Sequence, residues 1–192
     1  MNRTDAWQLA NEYVKSPSLL NHMRCVEIAM RAYARKLGQD EELWGIIGLL
    51  HDFDYERWPN APDHPLQGEK ILRQRGYPEE VIYAIKSHAD YLTDCPRLTP
   101  LHKGLYACDE LCGFITAAAL VRPNGISDMT ASSVKKKMKS KGFAQNVSRG
   151  DIERGAADFG VELTEHIQFI TDALKPHAAE LGLERGLDGA RE

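Results

Sequence analysis

Leu43, Ile47 and Leu50 recur at helical spacing within the apolar run at residues 43–50, and His51, four residues after Ile47, extends their stripe instead of the wet side of the helix. Asp52 follows at once. Desolvating a carboxylate costs several kcal/mol unless something compensates it, so a His-Asp pair at the buried end of an apolar helix calls for a partner. A metal ion is the simplest one. A capping aspartate beside a satisfied core histidine is the bland alternative, and the rest of the chain must choose between them.

Inward-facing polar groups recur on other helices. Leu19, Met23, Val26, Met30, Tyr33 and Leu37 step by three or four, which predicts a helix over Pro17–Leu37 that Gly38 stops. His22 lies beside that stripe, three residues after Leu19. Gln39, Asp40, Glu41 and Glu42 then open the helix that leads to His51, with acidic charge suited to its positive end. Trp58-Pro59-Asn60-Ala61-Pro62 reads as a loop, preceded by the close carboxylates Asp54 and Glu56. Pro65 suits the first position of the next helix and leaves His64 at or beside an N-cap, where histidine caps poorly and is under-explained by local structure. Over 79–89, Val81, Ile85 and His88 share a face, so His88 extends an apolar stripe as His51 does; a dipole contact at the helix end is its bland reading. After a loop at 91–100, Leu101, Leu105, Cys108, Cys112, Ile115 and Ala119 trace the buried side of a long helix. Asp109 falls within that side, where no capping role exists and an unpaired carboxylate is costly. His102 begins the same helix and reads as outward-facing.

Beyond Arg122-Pro123-Asn124-Gly125 comes a basic helix at 132–141. Val134 and Met138 pack inward while Lys135, Lys136 and Lys137 fan outward, either as a solvated face or as a basic flap over a phosphorylated substrate. Leu163, Ile167, Ile170 and Leu174 close the bundle within 161–174, with His166 at the border of that packing. No stretch alternates as a strand does. The Gly-rich, charged residues 182–192 read as a frayed tail, which leaves one all-α domain over 1–181.

A formal charge of −4 gives no general attraction to nucleic acid or anionic lipid, so stable nucleic-acid or membrane binding is not expected. Residues 1–7 lack an apolar signal segment, and no apolar run approaches the roughly 20 residues of a membrane helix, which points to the cytoplasm. The four cysteines, Cys25, Cys95, Cys108 and Cys112, contain no Cys-x-x-Cys pair and read as reduced core thiols.

His22, the pair His51-Asp52, and Asp109 are thus three separated helical positions, each with a metal-competent group on or beside the buried side. Imidazole and carboxylate donors without a thiolate motif favour Mn, Fe, Zn, Co or Ni over an oxygen-only cage or a structural zinc knot. The order His, His-Asp, Asp on an all-helical chain resembles the HD superfamily of metal-dependent phosphohydrolases. The motif matches at His22, His51, Asp52 and Asp109, embedded as Leu49-Leu50-His51-Asp52 and Ala107-Cys108-Asp109-Glu110-Leu111, over roughly residues 18–120. That resemblance implies an all-α HD-domain helical bundle with its metal-binding core in this stretch. Some branches of the family place two further histidines between His-Asp and the final Asp to build a two-metal site; His64 and His88 stand in that order, so one or two divalent ions are implied. Gly76-Tyr77-Pro78 matches a signature of the cyclic-dinucleotide branch but does not follow His51-Asp52 as that motif requires, and it reads as a helix break.

The implied reaction is hydrolysis of a small phosphorylated compound, a nucleotide by preference, through a metal-activated water whose pKa falls from about 16 toward about 7. Asp52 offers two oxygens and so can bridge two ions, whereas each histidine gives one nitrogen to one. Asp54 and Glu56, just past the ligand pair, are candidates to orient the water or protonate the leaving group, with ordinary loop carboxylates as the competing reading. Lys135, with Lys136, Lys137 and Arg122, is a candidate to offset phosphate charge. The same six-ligand order also resembles the di-iron oxygenases that share the HD fold. A third class is the HD relative that binds metal or nucleotide without catalysis; fold alone does not select among these.

Overall fold

The computed structural model describes residues 1–184, and helices joined by turns make up its regular structure, with no strand among the described residues. The all-α class expected from the periodicity is therefore the class observed. Among the described residues the chain forms two compact units, Met1–Tyr106 and 107–184.

In the first unit α1 spans Arg3–Tyr13, α2 Pro17–Leu37, α3 Glu41–Leu50, α4 Asp63–Gln74 and α5 Glu79–Lys86. Ser16 caps α2 by accepting from the Leu19 N–H, Pro17 takes the first helical turn, and Gly38 ends the helix at φ 64°, a left-handed conformation that glycine adopts without a Cβ penalty. Asp40 caps α3, and every residue from Trp44 to Leu50 is buried, so α3 is apolar all round and forms the centre of this unit against α1, α2 and α5. Gly48 makes that packing close. A Cβ there would stand 2.9 Å from the Val26 carbonyl oxygen and 3.0 Å from the Glu27 Cα, backbone atoms that cannot yield. Buried Glu27 on the same face of α2 accepts from Arg3 Nε at 2.7 Å and Arg31 Nε at 3.0 Å, which ties α1 to α2 through a paired charge.

Helix α1 was not expected, because it buries only Ala6, Leu9 and Ala10 and so carries a thin apolar stripe. Helix α5 stops at Lys86, short of residue 89, and leaves His88 just beyond it. Helix α4 is kinked: His64 holds extended backbone (φ −77°, ψ 132°) ahead of Pro65, the conformation a following proline favours.

Helix α6, Pro100–Leu120, begins in the first unit and continues into the second. There α7 spans Ala131–Met138, α8 Arg149–Phe159 and α9 Leu163–Leu174, followed by a 3-10 turn at Lys175–His177 and the short α10, Ala178–Leu181. Thr130 and Ser133 close a capping box on α7, and α9 packs on α7 and α8. Helix α8 was also unexpected; it buries only Ile152, Gly155 and Ala156. Part of the tail expected to fray belongs to the fold. Gly182 caps α10, and Leu183 is buried, donating to the Ala178 carbonyl and accepting from the Ile126 N–H at 2.8 Å each. The rest of that expectation, 185–192, lies outside the described residues.

Candidate metal centre

Helix α3 delivers His51 at its C-terminal end, and the tight turns that follow present Asp52 and Asp54 while burying Phe53 completely. Helix α2 brings His22, the kink of α4 brings His64, and the residue after the α5 cap brings His88. The four histidines converge on Asp52. Its Oδ2 lies 3.4 Å from His51 Nε2 and 3.8 Å from His22 Nε2, while its Oδ1 lies 3.3 Å from His64 Nε2 and 3.6 Å from His88 Nε2. Each oxygen thus serves its own histidine pair. Within the pairs the Nε2 atoms stand 3.2 Å apart (His22, His51) and 3.1 Å apart (His64, His88).

The tautomers of three of these rings follow from their other nitrogens. His51 Nδ1 donates to the Gly48 carbonyl at 2.8 Å, His88 Nδ1 to the Ile85 carbonyl at 2.5 Å, and His64 Nδ1 to Asp54 Oδ1 at 2.8 Å. Carbonyl and carboxylate oxygens only accept, so each Nδ1 carries a proton and each ring is left with Nε2, facing Asp52, as its one atom able to ligate a metal. His64 and His88 then face each other lone pair to lone pair at 3.1 Å. Only a cation between them, a proton or a metal ion, makes that arrangement favourable. The spacing suits a metal: donors about 2.1 Å from one ion at tetrahedral or octahedral angles stand about 3.0–3.4 Å apart. In each half the candidate ligand atoms all lie within 4.8 Å of one another. The residues present fit one ion, or two sharing Asp52.

Electrostatics agree with ligation. Burial pushes the Asp52 carboxyl upward, but when His51 and His88 carry a second proton on Nε2 their charges and hydrogen bonds outweigh it and hold the group well below the usual carboxylate range. Asp52 is therefore an anion at neutral pH, as a ligand must be.

Asp54 is fully buried with both oxygens engaged. Oδ1 accepts from His64 Nδ1–H, and Oδ2 accepts from the Gly68 N–H at 2.7 Å, so the carboxylate orients a ring and does not stand open to solvent. Glu56 is exposed and accepts the N–H groups of Lys15 and Ser16 at 2.9 Å each; those two bonds hold its carboxyl below the ordinary range. Lys135 belongs to the second unit, where its Nζ donates to Thr164 Oγ1 at 2.7 Å. Asp109 is also in the second unit, half-buried on α6, and its charge adds to burial in pushing the neighbouring Cys108 thiol upward. His102 is buried, not outward-facing: its Nδ1 accepts from the Leu98 N–H at 3.3 Å, and burial lowers its pKa. His166 Nε2 donates to the Ala107 carbonyl at 2.9 Å, a core role.

Sequence reasoning missed four supports of this site. Tyr91 donates to the His64 carbonyl, and its phenol is pushed up by burial and by the charges of Asp54 and Asp52. Tyr55 sets its ring edge-on to His64 with centroids 5.2 Å apart. Arg97 donates to the Ser87 carbonyl at 3.2 Å and pairs with Asp90 at 2.6 Å, fixing the segment that carries His88. Gly68 gives Asp54 room; this glycine, inside an otherwise helical stretch, was the one readable signal among the four.

Residues 19–112 match the family model of the HD domain. These residues belong to the HD family. Its members are generally metal-dependent phosphohydrolases, and all six expected ligand positions of this chain, from His22 to Asp109, lie inside the HD match. The chain is also similar to Ribonuclease Y of Desulfotalea psychrophila (strain LSv54 / DSM 12343), at 26% identity over 172 residues. That similarity covers 86% of this chain but 29% of the relative, so the chain spans under a third of that relative's length. No solved structure matches the chain. No helix among its described residues is long and apolar enough to cross a membrane.

Proposed function

We propose that this HD protein is a metal-dependent phosphohydrolase that cleaves a small phosphorylated compound, a nucleotide by preference. The observation that carries the proposal is Asp52, one carboxylate with each oxygen turned to its own pair of histidine Nε2 atoms. In this reading His22, His51 and Asp52 hold one ion, with Asp109 as the fourth ligand that the family order supplies, and Asp52, His64 and His88 hold a second. A bound divalent ion supplies Lewis acidity toward phosphoryl oxygens and an acidified water. The chain's own residues do the rest. Backbone carbonyls hold the Nδ1 proton of His51 and His88 and leave Nε2 to ligate, and Asp54 keeps His64 in the same ligating orientation, a positioning role in place of proton transfer. Glu56, engaged at the start of α2, and Lys135, engaged with Thr164, receive no role in this reading. The preference for a nucleotide draws support from the similarity to an enzyme named for RNA cleavage.

The test is metal analysis and turnover by the purified, tag-free protein with p-nitrophenyl phosphate, bis(p-nitrophenyl) phosphate and nucleoside monophosphates. Metal-dependent release of phosphate or nitrophenol, abolished in Asp52→Ala, is the expected result. Bound iron with oxygen consumption and no ester cleavage would replace this reading with the oxygenase one. Metal and nucleotide binding without any turnover would replace it with a binding module.

A further inference from the structure

The second unit contains a cavity of about 490 Å³, within the range of roughly 300–1,000 Å³ typical of small-molecule sites. Ala118, Met129 and Val134 give it an apolar floor, while Arg122, Lys136 and Lys137 make its wall basic. No acidic side chain among the described residues lines it, although the chain as a whole carries a formal charge of −4. The local sign therefore opposes the overall one.

Helix α7 separates its lysines. Lys135 is turned to Thr164, whereas Lys136 and Lys137, three and four residues after Ser133, share the cavity face. Lys136 makes no ion pair with any described residue. Lys137 Nζ lies 4.2 Å from the centre of the Phe143 ring, a contact that positions the ammonium without neutralising it. Arg122 forms an ion pair with Asp128 through Nη2 at 2.7 Å, but its Nε is buried and has no hydrogen-bond partner among the described residues. An unused buried donor beside two uncompensated ammonium groups calls for an acceptor that carries more than one negative charge.

We propose that this cavity binds a small organic anion with a phosphate headgroup and an apolar body. Arg122, Lys136 and Lys137 hold the headgroup, and the body covers Ala118, Met129 and Val134. Inorganic phosphate is too small to fill the space, and a neutral apolar molecule leaves the two lysines and the Arg122 Nε unanswered. The inference concerns the second unit alone and stands whether or not the first unit hydrolyses phosphate esters.

The probe is benzylphosphonate, whose carbon–phosphorus bond resists hydrolysis, titrated into the ¹⁵N-labelled 192-residue chain and followed by amide chemical shifts. Saturable shifts at residues 118–122 and 133–140 are expected. In Lys136→Gln/Lys137→Gln the affinity should fall by about tenfold or more, as loss of charge-assisted hydrogen bonds implies, while Lys135→Gln/Lys139→Gln should stay within about twofold. Benzyl alcohol and inorganic phosphate should each bind at least about tenfold more weakly than benzylphosphonate. Absence of saturable shifts at these residues overturns the proposal. So does equal weakening by the two lysine pairs, which would signal diffuse charge, and so does inorganic phosphate binding as tightly as benzylphosphonate. Shifts confined to the neighbours of His51 and His64 would assign the binding to the metal cluster and overturn it as well.

Discussion

Replacing Gly68 with alanine perturbs the metal centre through one methyl group. A Cβ at this position would stand 2.9 Å from Asp54 Oδ2, 3.0 Å from its Cγ and 3.1 Å from Phe53 Cε1. Neither neighbour can give way cheaply, because Asp54 and Phe53 are both fully buried and Asp54 is held by His64. Overpacking of this kind costs about 1–3 kcal/mol. Weakening the charge-assisted bond from the Gly68 N–H adds up to about 1.5–3 kcal/mol, while alanine's better helix propensity returns about 1 kcal/mol. Part of the clash and of the bond loss are the same displacement, so the net expectation is about 1–3 kcal/mol, or a Tm lower by about 3–10 °C for a chain of this size. The larger effect is on the ion. Displacing Asp54 frees His64 to rotate or change tautomer, and losses of such outer partners lower metal affinity by about 10–100-fold. Thermal melts with and without a chelator, together with competition against a chromogenic chelator, read both quantities. Gly68→Ala with wild-type metal affinity and a lowered Tm would refute the chain of support from Gly68 through Asp54 to His64.

Elemental analysis should find near two metals per chain in the wild type, falling toward one in His64→Ala and in His88→Ala; an unchanged count in both would return these rings to packing. Gly48→Ala drives a Cβ into the backbone of α2 and should destabilise by about 2–4 kcal/mol in urea titration, with loss of bound metal because His51 hangs on the Gly48 carbonyl. Glu27→Gln removes the charge that answers Arg3 and Arg31. The expected cost by denaturant titration is about 2–4 kcal/mol, less than for a fully enclosed pair, because Arg3 is half exposed and Arg31 keeps Glu42 at 2.9 Å.

Helices with a broad apolar stripe were legible in the sequence, and helices that pack through small residues were not. Helix α2 shows its apolar step for five turns and carries a proline and a glycine at its ends, so both its limits could be read. Helices α1 and α8 each bury one large apolar residue, Leu9 or Ile152, beside alanine or glycine, too little for a periodic signal; only their caps, Asn2 and Ser148, marked them. His22, His51, Asp52, His64 and His88 were found as polar groups that local structure left unexplained. Asp54 was picked out for a different reason and with a different role, because a sequence does not show which way a turn directs its carboxylate. The lysines of α7 illustrate the same limit. Three consecutive residues span most of a helical turn, and whether each meets solvent, Thr164 or a cavity depends on packing that no local pattern encodes.

His51 and His88 share a device that explains why histidine serves at both positions. Each sits at or just past the end of an apolar helix and returns its Nδ1 proton to the carbonyl three residues earlier, Gly48 or Ile85. The last carbonyls of a helix lack the regular intrahelical donors, so the ring donates to the Gly48 carbonyl and, alongside the His88 N–H, to that of Ile85, and contributes to the fold even without an ion. The same bond fixes the proton on Nδ1, aims Nε2 along the helix end toward Asp52, and removes the choice of tautomer that would otherwise oppose ligation. Glutamine could mimic the carbonyl bond but not the second, lone-pair-bearing nitrogen on a rigid ring. His64 achieves the same tautomer differently: Pro65 holds its backbone extended, out of helical register, and Asp54 takes the place of the helix carbonyl. Two helix ends and one proline kink therefore yield three equivalent donors around a single carboxylate, and the apolar helices that carry them are the same elements that build the core of the first unit.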